Sequence, residues 1–130
     1  MDKPKTPQLT IDREFRDLIR PLMKDEYRYL ESTLISEGCQ EPITVWKGII
    51  VDGHNRYEIC TRFDTRERHF DNREEAIIWI CARQLGRRNI SDETRRYLIG
   101  KRYEAEKVIA AKRNYNGWNQ YRKREHSGDL

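Results

Sequence analysis

The stretch Pro42–Thr61, PITVWKGIIVDGHNRYEICT, decides how this chain is read. A β-branched and aromatic run, Ile43-Thr44-Val45-Trp46, breaks at Lys47-Gly48 and resumes as a second apolar run, Ile49-Ile50-Val51. Two such runs around a tight break containing glycine predict a β-hairpin. The chain then turns at Asp52-Gly53 and enters a predicted helix, His54 to Cys60. A strand that feeds a helix through a glycine makes a natural anion site. The first helical amides lack intrahelical partners, the helix dipole adds partial positive charge, and glycine admits a close approach. Arg56, in the first turn, can add a forked contact to the same anion. An ordinary turn with Arg56 paired to an acid accounts for the same residues, and the stretch alone leaves both readings open.

Upstream, Leu9-Thr10-Ile11-Asp12 alternates like the start of a strand, and Pro21 stops whatever precedes it. Lys24 to Glu37 has the spacing of an amphipathic helix, with Tyr27, Leu30, Leu34 and Ile35 toward one face and Gly38 as its stop. Downstream, Arg66 to Phe70 reads as a short strand. Asn72 and Glu75 then form a capping box for a helix, Ala76 to Ala82, that is apolar almost all round. Ile77, Trp79 and Ile80 are its expected core residues. QLGRRNI, residues 84–90, breaks that helix at Gly86. Ser91 caps a last helix, mostly charged and expected to end near Arg113.

With 130 residues, 36% hydrophobic and 37% charged, the chain suits one domain with a lean core. No apolar run is long enough for a membrane helix and no secretory h-region is present, so the reading is a cytoplasmic protein without a membrane partner. Cys39, Cys60 and Cys81 are widely spaced without a CxxC pair, which argues against a disulfide framework or a zinc site, and no metal ligand set is assigned. Cys60 and Cys81 read as small core residues, and Cys39 as an exposed thiol. Of the net charge of +4, all the excess falls in residues 101–130, which hold eight basic and four acidic residues. Lys101, Lys107, Lys112, Arg113, Arg122, Lys123 and Arg124 are therefore the candidate contacts to DNA or another polyanion.

Glu41-Pro42-Ile43-Thr44-Val45 followed by Asp52-Gly53-His54-Asn55-Arg56-Tyr57 resembles the nucleotide-binding core of the ParB/sulfiredoxin superfamily. Within it, the chain is most similar to ParB-like N-terminal domains of bacterial mobile elements and phages, from about Leu9 to about Arg96. The resemblance implies an α/β (α+β) fold, ParB/sulfiredoxin-like, with a small mixed sheet packed by helices. Residues 1–8 would be a flexible arm, 9–90 the nucleotide-binding domain, 91–113 a long C-terminal helix and 114–130 a flexible basic tail. It further implies that Asp52, Gly53, His54, Asn55 and Arg56 hold the phosphates of a nucleoside triphosphate, CTP or ATP, with Mg2+. A second family motif, E-N-x-x-R, falls on Arg83-Gln84-Leu85-Gly86-Arg87. Gln84 and Arg87 thereby join the implied site, while Arg83 stands where the family has glutamate. Sulfiredoxins carry a reactive cysteine directly after the motif glycine. His54 occupies that place here, which removes their chemistry.

The leading reading is thus a nucleotide-binding module of a DNA-associated partition or regulatory protein. ParB proteins read DNA with a helix-turn-helix module after this domain. The chain ends at Leu130 without room for one, so DNA contact would fall to the basic tail, to a downstream module or to a partner. The long helix offers a surface for a homodimer. The alternative is an NTPase or a phosphotransferase of the free-serine-kinase kind, with His54 as its catalytic acid or base. A nuclease ranks last, for want of a carboxylate cluster.

Overall fold

The computed structural model describes residues 8–128, with side chains described as far as Tyr115. The elements run α1 (Arg13–Asp17), α2 (Lys24–Glu37), β1 (Ile43–Trp46), β2 (Ile49–Asp52), α3 (His54–Ile59), β3 (Thr65–Glu67), α4 (Arg73–Leu85) and α5 (Asp92–Gly128). This is the mixed α+β architecture expected from the sequence, with a sheet in the order β2-β1-β3.

β1 and β2 form the hairpin. Lys47 and Gly48 both take positive φ, 51° and 78°, the twist that matches a two-residue turn to right-handed strands. β3 runs parallel to β1, with Thr44 registered on Arg66, so the sheet is mixed. The central strand β1 is buried along its whole length. Its alternation feeds two cores. Ile43 and Val45 meet Ile50 in a small cluster covered by Leu9, Tyr57 and Phe63. Trp46 points into the larger one with Val51, Phe15, Leu18, Phe70, Ile77, Ile80 and Leu98.

The helices α4 and α5 close the larger core. Asn72 caps α4 by accepting from the Glu75 amide, and Glu75 reaches back to the Asp71 amide, one residue earlier than a strict capping box. Ile80 and Cys81 are fully buried, whereas Trp79 is only half-buried, its ring carrying guanidinium groups at its edge of the core. The expected buried tryptophan is thus a partial miss: Arg68 and Arg83 cover it in place of apolar side chains. On α5, Leu98 and Ala105 face α4, while Tyr97, Ile99 and Tyr103 remain exposed.

Several expected boundaries shift. Leu9–Asp12 is not a strand. Only Thr10 bridges to Ile49, because the Asp12 carboxylate turns to cap α1 by accepting from the Phe15 amide. The third strand sits at Thr65–Glu67 and leaves Phe70 free to enter the core. α2 has the expected bounds but buries no residue, and Ile35 is exposed. α5 does not end near Arg113. It continues to Gly128, since no proline interrupts it and Gly117 and Asn116 lower helix propensity by only about 1 kcal/mol or less each. The tail assigned to 114–130 is therefore helical as far as 128. Of the arm assigned to 1–8, residues 1–7 lie outside the described residues. Among the described residues no helix is long and apolar enough to cross a membrane.

Arg73 docks α1 onto α4. Its guanidinium donates to both Asp12 oxygens at 2.8 and 2.6 Å and to Glu14 at 2.8 Å, and lies 4.5 Å from the Phe15 ring centre. These bonds hold the Asp12 carboxyl below its usual pKa. The pair therefore contributes stability above pH about 4, lost as pH falls through the carboxylate range. Arg73→Met is expected to cost about 1.5–3 kcal/mol, toward the lower figure because the guanidinium is partly solvated. Urea unfolding at pH 7 and at pH 3 checks this: the variant should lose less on acidification than the wild type. An unchanged midpoint at pH 7 would refute the docking role.

Candidate functional site

The site is built at the point where β2 ends. Gly53 takes φ 101° and ψ 26°, a left-handed conformation suited to glycine, and the next residue starts α3. A Cβ at Gly53 would sit 2.9 Å from Arg56 Nη2 and 3.2 Å from Ile43 Cγ1. The glycine therefore makes room for a side chain of this chain: the Arg56 guanidinium folds back over it.

Arg56 is committed. Its Nη2 donates to the Pro42 carbonyl at 3.3 Å, its Nη1 lies 3.4 Å from Glu41, and Nη2 lies 3.6 Å from Asp52. The turn-plus-acid reading of Arg56 is thus correct as a description of its contacts. Arg56 and Asp52 nonetheless form part of a cavity wall. α3 has six residues and one weakly aligned turn of amides, so its dipole contributes little on its own.

His54 and Gln84 supply what the helix start does not. Both are buried, at 8% and 3% exposure. Neither ring nitrogen of His54 has a hydrogen-bond partner among the described residues, and neither has the Gln84 Oε1. Burial lowers the His54 pKa to about 4, against a smaller opposing pull from Asp52. The imidazole is therefore neutral at pH 7, with one donor and one acceptor to offer. It does not cap α3.

Asp52, Gly53, His54, Asn55, Arg56, Gln84 and Arg87 all line one cavity of about 170 Å3. Every residue assigned from the sequence to phosphate binding is brought to this place. The opposite wall is apolar, from Ile19, Leu22 and Leu30, which sequence reasoning did not include. Only the 3/4 spacing that set Leu30 on the inner face of α2 hinted at it. His54, Asn55 and Ile19 also border a larger cleft of about 1080 Å3 that runs past Tyr57 and Phe63. The small cavity has the size of a phosphate group or a few waters, and the cleft that of a whole small ligand.

Arg83, at the family's glutamate position, places Nη2 3.4 Å from Asp52. Asp52 is the corner's only carboxylate and faces two guanidinium groups. Among the described residues, no cluster of three or more His, Cys, Asp or Glu could hold a metal ion. The three cysteines are free thiols. Burial and the neighbouring Cys39 thiol push the Cys60 thiol up to about 12, and burial pushes the Cys81 thiol up to about 11, so neither is a nucleophile at neutral pH.

Among the described residues, the basic side chains assigned to polyanion contact are not gathered on one face. Lys112 lies 3.6 Å from Glu74, and Lys101 lies 4.0 Å from Glu104. At about 100° per residue, Lys107 and Arg113 project some 240° and 120° around the helix from Lys101. The side chains of Arg122, Lys123 and Arg124 lie outside those described.

No protein-family model matches this sequence, and no curated protein does. Among solved structures, the chain is similar to a Pnob8-like ParB-N domain, with a TM-score of 0.68 and 21% identity. The match covers 84% of this chain and 46% of that one, so the present chain spans less than half of its length. The fold expected from the sequence resemblance is the fold observed.

His54 titration gives a direct check on the corner. With its folded pKa depressed from 6.5 to about 4, the neutral ring favours the folded state above pH 6.5. That contribution fades as pH falls from about 6.5 to about 4, at up to about 1.4 kcal/mol per pH unit. Stability measured across this window should fall less steeply for His54→Gln than for the wild type. Equal slopes would place the ring in solvent.

Proposed function

We propose that this ParB-N-like fold is a nucleotide-binding module of a DNA-associated protein, with the nucleotide phosphates seated in the corner cavity. The observation that carries this reading is that buried His54, with neither ring nitrogen partnered, and buried Gln84, with its Oε1 unpartnered, line one cavity together with Arg87. A buried polar group without a partner costs about 1–3 kcal/mol; a phosphate oxygen can accept from the His54 N–H, and Gln84 donates to it only with its amide turned so that Nε2 faces the cavity. The neutral imidazole and the Asn55 amide can donate to phosphate, and Arg87 can add a charge-assisted fork. The adjoining cleft, with Tyr57 and Phe63 along it, has the room for the sugar and base of CTP or ATP.

Mg2+ usually reaches a nucleotide through one or two carboxylates and the phosphates. Here Asp52 alone is available, and it already faces Arg56 and Arg83. We assign the neutralisation of the phosphates to guanidinium groups. The same arrangement favours binding over phosphotransfer, since an imidazole with a pKa near 4 is a weak base at pH 7 and Asp52 is engaged.

Titration with CTP, ATP, GTP, ADP and phosphate, each with and without Mg2+, tests the reading. Arg87→Ala is expected to weaken the preferred nucleotide by about 1.5–3 kcal/mol without lowering stability, because Arg87 is exposed. Gln84→Met is the sharper variant. It should keep or raise the melting temperature of the free protein, by removing an unsatisfied buried amide, and shrink the rise in melting temperature that nucleotide produces. Absence of any nucleotide or phosphate affinity in the wild type would end this reading.

A further inference from the structure

Across the Asp52–Arg56 wall from the corner lies a second cleft, of about 410 Å3, between β3 and α4. Four guanidinium groups line it, from Arg56, Arg66, Arg68 and Arg83. Two of its three carboxylates are ion-paired, and the third takes a backbone hydrogen bond. Glu41 and Asp52 face Arg56, Asp52 also faces Arg83, and Glu67 accepts from the Lys47 amide at 2.9 Å. Arg66 and Arg68 form no ion pair with any described residue, and with four guanidinium groups against three carboxylates the lining carries a net positive charge.

The backbone that carries these charges is held in place. Arg66 is registered on Thr44 in the parallel β1–β3 pair, and the Arg68 amide donates to the Val45 carbonyl at 2.8 Å. The Arg68 and Arg83 guanidinium carbons lie 5.0 and 4.9 Å from the Trp79 ring centre, within cation–π range. Trp79 thus fixes one guanidinium from the strand side and one from the helix side. Forks from separate elements suit a multiply charged anion with several acceptor oxygens, whereas one carboxylate is satisfied by a single fork.

We propose that this β3–α4 cleft is a second phosphate-binding site, built by Arg66, Arg68 and Arg83 on Trp79 and separate from the corner. Its volume leaves room for a phosphate that is part of a larger group. The same chemistry is offered by a soluble phosphate compound and by the backbone of a single-stranded nucleic acid. The site does not depend on the nucleotide reading of the corner.

The test uses the whole chain with two probes: pyrophosphate by calorimetry, and a labelled oligothymidine by fluorescence anisotropy at fixed salt. Wild type is compared with R66A/R68A, with R87A in the corner, and with R95A/R96A, an equal charge change on exposed α5 positions. R66A/R68A is expected to weaken at least one probe tenfold or more, with R95A/R96A within twofold of wild type. Loss with pyrophosphate alone identifies a soluble phosphate compound, and loss with the oligonucleotide a strand backbone. R87A reports on the corner independently, so failure of one site leaves the other readable. Either probe pattern in which R66A/R68A matches wild type on both, or in which R95A/R96A loses as much, overturns the proposal, as does a wild type that binds neither probe. Circular dichroism verifies that each variant is folded.

Discussion

The guanidinium of Arg56 lies over the α-carbon of Gly53 and donates to the Pro42 carbonyl at the entrance of β1. This contact ties three points of the chain together: the start of the hairpin, the end of β2 and the first turn of α3. It needs a residue without Cβ at position 53, because any side chain there would collide with both Arg56 and Ile43. Asp52 and Glu41 add charge pairing at 3.6 and 3.4 Å. The result is a fixed wall with a cavity on each side. The corner and the β3–α4 cleft owe their separation to it. Arg56 is accordingly a scaffold residue first, with its charge shared between two carboxylates. The arms left free to meet an anion are Arg87 on one side and Arg66 and Arg68 on the other.

Inside the corner the energetics run against simple packing. Leucine and methionine at positions 54 and 84 would fill the space beside Ile19, Leu22 and Leu30 without stranding a polar atom. His54 and Gln84 instead cost about 1–3 kcal/mol each where unsatisfied, against a total stability of some 5–15 kcal/mol for an ordinary domain. A cavity of about 170 Å3 holds several waters, which partly offset that cost in the free protein. Those waters are what a phosphate would displace, and its oxygens would accept from the His54 N–H and from Gln84 Nε2 once that amide is turned toward the cavity. Burial has a second effect: it keeps His54 neutral, so the ring brings hydrogen bonds without a fixed charge.

Much of this arrangement was legible before any coordinates. Alternation and the Lys47-Gly48 break located the hairpin, and Asn72 with Glu75 located the start of α4. The residues drawn together in the corner are those that the Gly53–Arg56 motif and the QLGRRNI loop named. What escaped the sequence was set by tertiary contacts. Asp12 looked like part of a strand because its bonds to Arg73, 61 residues away in sequence, are invisible to any local pattern. Trp79 looked like core because its neighbours on α4 are apolar. The guanidinium groups that cover it come from β3 and from its own helix, a pairing no local pattern reveals. The apolar wall from Ile19 and Leu22 lies in a segment without a period of its own. The length of α5 was hidden by Asn116 and Gly117, which resemble a stop in sequence and are tolerated in a long helix.

The exchange of glutamate for Arg83 then acquires a consistent meaning. In the resemblance the residue at this place is acidic and serves a nucleotide site with a metal ion. Here it is a cation resting on Trp79 and turned toward Asp52. The change places a cation on the β3–α4 side of the wall, and Asp52, the one carboxylate among the described residues lining the corner, faces two guanidinium groups. Guanidinium groups alone can grip a phosphate, whereas transfer would further require a base or a metal beside it. On this reading the corner retains the part of the fold that grips phosphate and gives up the part that would arrange a metal or a base. A histidine whose burial keeps it a hydrogen-bonding group and a poor proton acceptor fits the proposed binding role.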